Sequence, residues 1–328
     1  RTHLYSNLIQ RNQATGNNLA TRDGGGGISS LDDDAEIVSN RIFQNSANSA
    51  VGGGLLLTGG GFLLEGNRIW ANTALIGGGV VIYTATGTIA RNRILGNGAY
   101  WSGGGAYLLG AGSPVMDGNL VMDNVAMGGP GGLTGAGLIL SPPASTRITL
   151  TNQIVARNIV WSGAAGNKVG GVHCLSGSCA LIHCTIVDNG TELGGKVEGV
   201  RIGAAGATNL VWNSIVAGHS TGVVVAGGAP ASLGYNDYFE NTLNTSGTGV
   251  GTNPHYDDPL FVDRLGKDYH LTVASPLIDQ GDLAQSSPDD FEGGVRPVGP
   301  SCDIGADEFA YAIYLPLTLK AWHEGPGR

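Results

Sequence analysis

Short apolar runs recur along the chain, and each is bounded by glycine, asparagine, serine or aspartate. Examples are LLL at residues 55–57, VVIY at 80–83, GLIL at 137–140 and GVVV at 222–225. Apolar residues do not recur with a sustained helical period, and each of the 57 glycines among 328 residues would cost roughly 1 kcal/mol inside a helix. The pattern therefore predicts short β-strands joined by tight turns.

A motif of the form Asn-x-(Ile/Leu/Val)-x-x-Asn accompanies these runs at intervals of 23 to 33 residues. Clear copies occupy residues 7–12, 40–45, 67–72, 92–97 and 119–124, and weaker copies occupy 152–157, 184–189, 213–218 and 236–241. Periods of this size are typical of solenoids, in which each unit packs on its neighbours. We therefore predict one repeat array over residues 1–250.

Two or three short strands per unit without a helix predict an all-β fold, a right-handed parallel β-helix (solenoid) of about nine coils stacked about 4.8 Å apart. Glycine allows positive φ and close contact between coils, and the asparagines are expected to form ladders at equivalent turns. The apolar ladder predicted to fill the interior, one residue per coil, consists of Ile42, Ile69, Ile94, Val121, Ile154, Ile186 and Ile215.

Composition narrows the range of partners. Charged residues make up 13% of the chain, the formal net charge is -9, and we see no basic stripe, so we expect no nucleic acid partner. The longest apolar candidate, residues 310–322, is interrupted by Pro316 and is shorter than the roughly 20 residues that cross a bilayer. We therefore expect no transmembrane segment.

Two cysteines flank a predicted turn between strands. Cys174 and Cys179 surround the sequence LSGS, and this spacing allows a small disulfide in an extracellular protein. The alternative is that both are small buried apolar residues, as we expect for Cys184, which falls at an asparagine-ladder position. The spacing of the cysteines and histidines matches no zinc motif.

After about residue 250 the composition changes, because acidic residues, prolines and aromatics replace the glycine triplets. The segments DPLFVDRLGKDYHLTVASPLIDQGD, residues 258–282, and DFEGGVRPVGPSCDIGADEF, residues 290–309, resemble the C-terminal region of secreted bacterial parallel β-helix proteins with a choice-of-anchor Q domain. The resemblance implies a β-helix, a C-terminal cap over residues 251–309 and an extracellular or cell-surface location. It implies no reaction.

Acidic residues offer little sign of catalysis. Asp32, Asp33 and Asp34 form a run that we regard as a solvated loop or a weak calcium site. Glu65, Asp117, Asp123 and Asp188 do not recur as an aligned acidic ledge. We therefore expect a protein that is not an enzyme and has no cofactor, with calcium left open.

Two tryptophans offer a carbohydrate site. Trp101 and Trp161 lie in the similar segments AYWSGG and IVWSGA, two coils apart, and loops that project outward would place their rings roughly 10 Å apart for stacking on sugars. The alternative is that each tryptophan covers the apolar interior below its loop.

The interpretation that we favour is an extracellular structural or adhesive surface protein that assembles with itself into filaments or a sheath. Assembly would use end stacking or donation of the tail, residues 310–328, as a strand. The apolar positions of that strand are Ile313, Leu315, Leu317 and Leu319. The partners are then other copies of the chain or cell-surface glycans. The alternative is a carbohydrate-binding or polysaccharide-degrading β-helix, either a lyase or a glycosidase.

Overall fold

The computed structural model describes residues 2–15, 24–110, 112, 114–129, 133–164, 166–203 and 208–310. Within these residues four sheets, here named A to D, run along the molecule, and the chain passes through them in that order in each of coils two to seven. Successive strands of one sheet belong to successive coils and pair in parallel, as Arg68–Trp70 does with Arg93–Leu95.

The strands are short. Sheet A consists of Thr2–Tyr5, Ala35–Val38, Gly61–Glu65, Thr86–Ala90, Val115–Asp117, Arg147–Thr151, Ser178–Ile182, Asn209–Trp212 and Ala231–Gly234. Sheet B consists of Leu8–Gln10, Arg41–Phe43, Arg68–Trp70, Arg93–Leu95, Leu120–Met122, Ile154–Ala156, Thr185–Val187 and Ile215–Ala217. Sheet C consists of Ser46–Val51, Thr73–Ile76, Gly98–Ser102, Val125–Ala126, Ile159–Val160 and Gly190–Thr191.

Sheet D completes the coils. Its strands are Ile28–Leu31, Leu55–Thr58, Val80–Tyr83, Ala106–Leu109, Leu138–Ser141, Asn167–Cys174, Glu198–Ile202, Thr221–Val225 and Leu243–Ser246, with Leu133–Gly135 beside Asn167–Cys174. After the last coil come an antiparallel hairpin, Phe261–Asp263 with Asp268–Leu271, and a 3-10 turn, Leu283–Gln285. The nine strands of sheet A in the described residues give nine coils, so the prediction of an all-β parallel β-helix is confirmed.

Two asparagine ladders connect the coils at the corners on either side of sheet B. In the first ladder, the backbone N–H and the Nδ2 of Asn67 both donate to Oδ1 of Asn92, at 2.9 and 3.0 Å. The same Nδ2 also donates to the carbonyl oxygen of Ile37, at 2.7 Å, in the coil on the other side. The second ladder, which includes Asn72 and Asn97, repeats this pattern. Each such asparagine is thus bonded to both neighbouring coils, and its side chain satisfies corner backbone groups of the preceding coil.

The prediction of the interior apolar ladder is correct in five coils and wrong in two. Val155 and Val216 are in register with Ile186 and have no exposed surface, so they take the interior positions predicted for Ile154 and Ile215. Asn152 and Asn213 occupy the preceding turn with positive φ, and Gln153 and Ser214 take the ladder position. The weaker motifs at residues 152–157 and 213–218 were therefore aligned one residue out of register, and a shift of one residue exchanges the two faces of a strand.

Glycine triplets turn the chain from sheet C into sheet D. In the triplet at residues 52–54, Gly52 has a φ of 69°. A Cβ atom on Gly53 or Gly54 would lie 2.4 or 2.5 Å from a carbonyl oxygen of the next coil. These glycines are therefore needed because the coils approach one another closely at this corner.

The C-terminal residues form a cap on the outer face of sheet B. Tyr269, Leu271, Leu277 and Ile304 of this cap are buried in one cluster with the strand residues Met122, Ile154, Ala156, Val187, Ile215 and Ala217. The strands involved belong to coils five to eight. Ile154 and Ile215 therefore belong to a second apolar core, between the cap and the coils.

The ending DIGADEF holds the cap together from inside. The carboxylate of Asp303 accepts hydrogen bonds from the backbone N–H groups of Asp279 and Phe309, both at 2.7 Å. The buried guanidinium of Arg296 donates to the carbonyl oxygens of Gly305 and Ala306. These residues of the C-terminal segment therefore have structural roles in the cap.

Replacing Asn92 by alanine tests the ladder. The change removes the side-chain acceptor of the buried backbone N–H of Asn67 and the side-chain donor to the carbonyl oxygen of Leu64. Each unsatisfied buried group costs about 1–3 kcal/mol, so we expect a loss of about 3 kcal/mol or more in urea denaturation. Asn48→Ala is the control, because Asn48 is exposed and, within the described residues, its side chain accepts one hydrogen bond, from the hydroxyl of Thr73. A loss for Asn92→Ala no larger than that of the control would contradict a structural ladder.

Candidate functional site

Three arginines form a row on the open outer face of sheet B. Arg41, Arg68 and Arg93 follow the first asparagine of three successive coils, and their Cα atoms are paired in register. All three side chains are exposed. Among the described residues, none of the three has a carboxylate oxygen within 4.0 Å. The expectation that the chain has no basic stripe is therefore wrong for this face.

An aromatic pair supports two of the arginines. The rings of Phe43 and Trp70 stack with centroids 4.1 Å apart and an angle of 11° between their planes. The guanidinium carbons of Arg41 and Arg68 lie 5.7 and 5.0 Å from the centroid of the Trp70 ring. Cation–π attraction at these distances holds the two guanidinium groups over the face.

A cavity of about 300 Å³ opens where the arginine row meets the cap. Arg93, Leu120 and Ile154 line one side, and they are consecutive positions of the same row on sheet B. The cap supplies the other side, which consists of Gly266, Lys267, Asp268, Tyr269, His270, Phe291, Glu292 and Asp307. The cavity therefore continues the basic face into a pocket rich in ionisable groups.

His270 is the central cation of the pocket. Its Nε2 lies 2.9 Å from Oε1 of Glu292, and its Nδ1 lies 2.5 Å from Oδ1 of Asp268. The hydrogen bond with Glu292 contributes most to raising the pKa of His270 to about 10, partial burial opposes the rise, and Asp268 adds to it. The imidazole is therefore protonated and positively charged at neutral pH.

Asp307 is the buried acid of the pocket. Its side chain is nearly covered, and Oδ2 accepts a hydrogen bond from the backbone N–H of Leu271 at 2.8 Å. Burial raises the pKa of Asp307 to about 6, although that hydrogen bond opposes the rise. Asp307 can therefore hold or release a proton close to neutral pH.

His270, Glu292 and Asp307 form one cluster. Each offers one metal-ligating atom, and these atoms lie within 4.8 Å of one another, an arrangement that could hold a divalent cation. His270 and Glu292 are instead hydrogen bonded to each other in the structure. We therefore treat the cluster as a set of acid and base groups.

The run Asp32, Asp33 and Asp34 lies elsewhere, between the strands Ile28–Leu31 and Ala35–Val38 near the N-terminal end. Asp33 is hydrogen bonded to Thr2, and Asp34 accepts a hydrogen bond from the backbone N–H of Gly61 at 2.9 Å. Within the described ranges, no group of three metal-ligating side chains converges at this run. A calcium site there stays a prediction.

The two tryptophans of the predicted sugar site are not at equivalent positions. The backbone N–H of Trp161 donates to the carbonyl oxygen of Ala126, and the backbone N–H of Met127 donates to that of Ala99. Trp161 is therefore in register with Met127 one coil earlier and with Tyr100 two coils earlier. Trp101 is one residue further along the chain. Trp161 and Tyr100 are 46% and 47% exposed, so an outward pair exists with Tyr100 in place of Trp101. Stacking of sugars on this surface is untested.

Cys174 and Cys179 are bonded to each other through their sulfur atoms in the structure. Cys184 and Cys302 are free and buried. Burial raises the pKa of the Cys184 thiol to about 12, so this thiol is not ionised at neutral pH. The tail residues Ile313, Leu315, Leu317 and Leu319 lie outside the described residues, so strand donation stays a prediction.

Sequence reasoning missed both parts of the site. The arginine row had a visible signal, because NRI occurs at residues 40–42, 67–69 and 92–94, and an outward position follows each ladder asparagine. The cluster of His270, Glu292 and Asp307 had no such signal. These residues are distant in the sequence and meet only because the cap folds on sheet B.

Comparisons with known proteins agree with this architecture. Residues 5–141 match the family model described as a right handed beta helix region. The crystal structure of the pectate lyase Pel9A is similar with a TM-score of 0.50 and 12% sequence identity, over 94% of this chain and 85% of that chain. The chain folds as a right-handed parallel β-helix. No curated protein matches the sequence of this β-helix.

The expectation that this β-helix is not an enzyme is contradicted by its likeness to a pectate lyase. At 12% identity the likeness shows the fold alone and assigns no residue a role. In the described part of the chain, no helix has both the length and the apolar character needed to cross a membrane.

The protonation of His270 can be measured directly. In a pH titration followed by NMR, we expect His270 to lose its proton at about pH 10, because Glu292 and Asp268 stabilise its charged form. Glu292→Gln should lower this pKa. His173 is the internal comparison, since burial lowers its pKa to about 4. An ordinary histidine pKa for His270, or no change in Glu292→Gln, would show that the cluster does not form.

Proposed function

We propose that the protein binds an acidic polysaccharide along the outer face of sheet B and cleaves it in the cavity at the cap. The arginine row carries this proposal. Like charges directly opposite each other on neighbouring strands destabilise a sheet, and about 4.8 Å separates successive arginines. A polymer with regularly spaced anionic groups would offset this repulsion.

The chemistry of the row suits carboxylate or sulfate groups. Arginine presents a planar set of donors that can bind a carboxylate through two parallel hydrogen bonds, and these bonds are stronger than neutral ones. Trp70 already holds Arg41 and Arg68 over the face, so less side-chain entropy is lost when they bind. The row thus provides consecutive positions for anionic sugars.

The cavity supplies groups for bond cleavage. Both hydrolysis and β-elimination of a glycosidic bond require a group that donates a proton and one that accepts a proton. Asp307, with its pKa raised to about 6, can donate a proton in mildly acidic solution, and Glu292 offers a carboxylate in the same cluster. Arg93 lies where the row enters the cavity and can pair with the anionic group of the sugar being cleaved.

The fold adds support, because a protein of similar fold is a pectate lyase. We include an extracellular location in the proposal. The bond between Cys174 and Cys179 supports it, since disulfides persist in oxidising compartments. The C-terminal resemblance to secreted choice-of-anchor Q proteins also supports it. The self-assembling surface role stays a prediction, which no described residue tests.

Binding is tested with Arg68→Ala, which removes the middle of the row. We expect affinity for polygalacturonate to fall about tenfold in calorimetry, because a charge-assisted hydrogen bond contributes about 1.5–3 kcal/mol. The remaining binding should weaken as salt rises. Lys168→Ala, on a strand of sheet D, removes one positive charge from another face and serves as the control. Equal affinities for the wild type and Arg68→Ala would contradict binding on this face.

Cleavage is tested by following reducing ends and the ultraviolet absorbance of unsaturated sugars released from polygalacturonate. The second signal appears only if the reaction is an elimination. We expect activity to decline as pH rises through about 6, because Asp307 then loses the proton that it donates. Asp307→Asn and Glu292→Gln should each lower kcat by a factor of 100 or more, on the order of the contribution of one acid or base group.

Asp258→Asn is the matched control for cleavage, because it neutralises an exposed carboxylate of the cap outside the cavity. It should retain wild-type activity. The proposal of cleavage is wrong if the wild type releases neither reducing ends nor unsaturated sugars, or if Asp307→Asn is as active as the control.

A further inference from the structure

A second cavity, of about 520 Å³, has two lining carboxylates, Asp123 and Asp188, that are ion paired with Lys267 and Arg264 of the cap. It follows the corner between sheets B and C, and Asp123, Arg157, Asp188 and Lys196 supply its charged side chains. The ion pair between Lys267 and Asp123, at 2.6 Å, separates the two cavities, since Lys267 lines the first and Asp123 the second.

The carboxylates around this cavity are already paired. Asp123 binds Lys267, and Asp188 accepts two hydrogen bonds from Arg264, at 2.6 and 3.0 Å. Arg264 also binds Glu240, at 2.9 Å. With these negative charges bound to cap cations, the cavity is poorly suited to a metal ion.

Two cations of the cavity have weaker partners. Arg157 lies between Asp123 and Asp188, and its Nε is 3.6 Å from Oδ1 of Asp123 and makes no hydrogen bond among the described residues. Lys196 donates to the backbone carbonyl oxygen of Glu240, at 2.6 Å, and has no carboxylate within 4.0 Å in the described ranges. The cavity therefore has positive charge available for a ligand.

We propose that this second cavity is an anion-binding subsite for an acidic sugar. The guanidinium of Arg157 and the ammonium of Lys196, which both line the cavity, face the carboxylate or sulfate group. The choice of a sugar rests on the proposed function. The subsite would bind a part of the polysaccharide separate from that on the arginine row.

The probe is galacturonate, a single sugar with one carboxylate, titrated into the full chain and followed by NMR. We expect Arg157→Gln to weaken its binding about tenfold, since a charge-assisted contact is lost. The control is Arg11→Gln, because Arg11 occupies the equivalent turn of the first coil, with a φ of 56° against 55° for Arg157. Equal binding by both variants would contradict the subsite.

The subsite and the proposed function can fail separately. If Arg68→Ala loses polygalacturonate binding and Arg157→Gln binds galacturonate like the wild type, the arginine row is supported and the subsite is contradicted. If Arg68→Ala binds polygalacturonate like the wild type and Arg157→Gln loses galacturonate binding, the subsite is supported and the row is contradicted. Binding of phosphate as strongly as galacturonate would show a general anion site and overturn the assignment to a sugar.

Discussion

The hydrogen bonds of the asparagine ladders determine the register on which the rest of the structure depends. Each ladder asparagine accepts hydrogen bonds from the previous coil through Oδ1, and its Nδ2 donates to both the previous and the next coil, so the corner at the start of sheet B has the same geometry in several coils. The residue after the asparagine then faces outward, and the next one faces inward. Three arginines at the outward position thus become a row.

The cap divides sheet B into two regions with different roles. Over coils five to eight, most outward residues are apolar and pack under the cap, among them Met122, Ile154, Val187 and Ile215. Over coils two to four, the outward residues are the arginines, and the face is open. The cavity with His270 and Asp307 lies at the boundary, where burial raises the pKa of Asp307 and the neighbouring carboxylates raise that of His270.

Local patterns were sufficient to predict the fold but not the site. Repeated asparagines, glycines and apolar runs predict the coils, because each coil has nearly the same neighbours. The register was misjudged where Gln153 and Ser214 replace the ladder asparagine, since an asparagine one residue earlier occupies the turn. The cavity brings Arg93 together with Asp307, and such long-range contacts leave no periodic signal in the sequence.

The most direct measurement of the central claim is a crystal structure of the protein with an acidic oligosaccharide such as oligogalacturonate. The account predicts sugar density on the outer face of sheet B, with carboxylates against Arg41, Arg68 and Arg93 and one end of the chain in the cavity beside Asp307. Density on sheet C beside Tyr100 and Trp161 and none on the arginine row would contradict it.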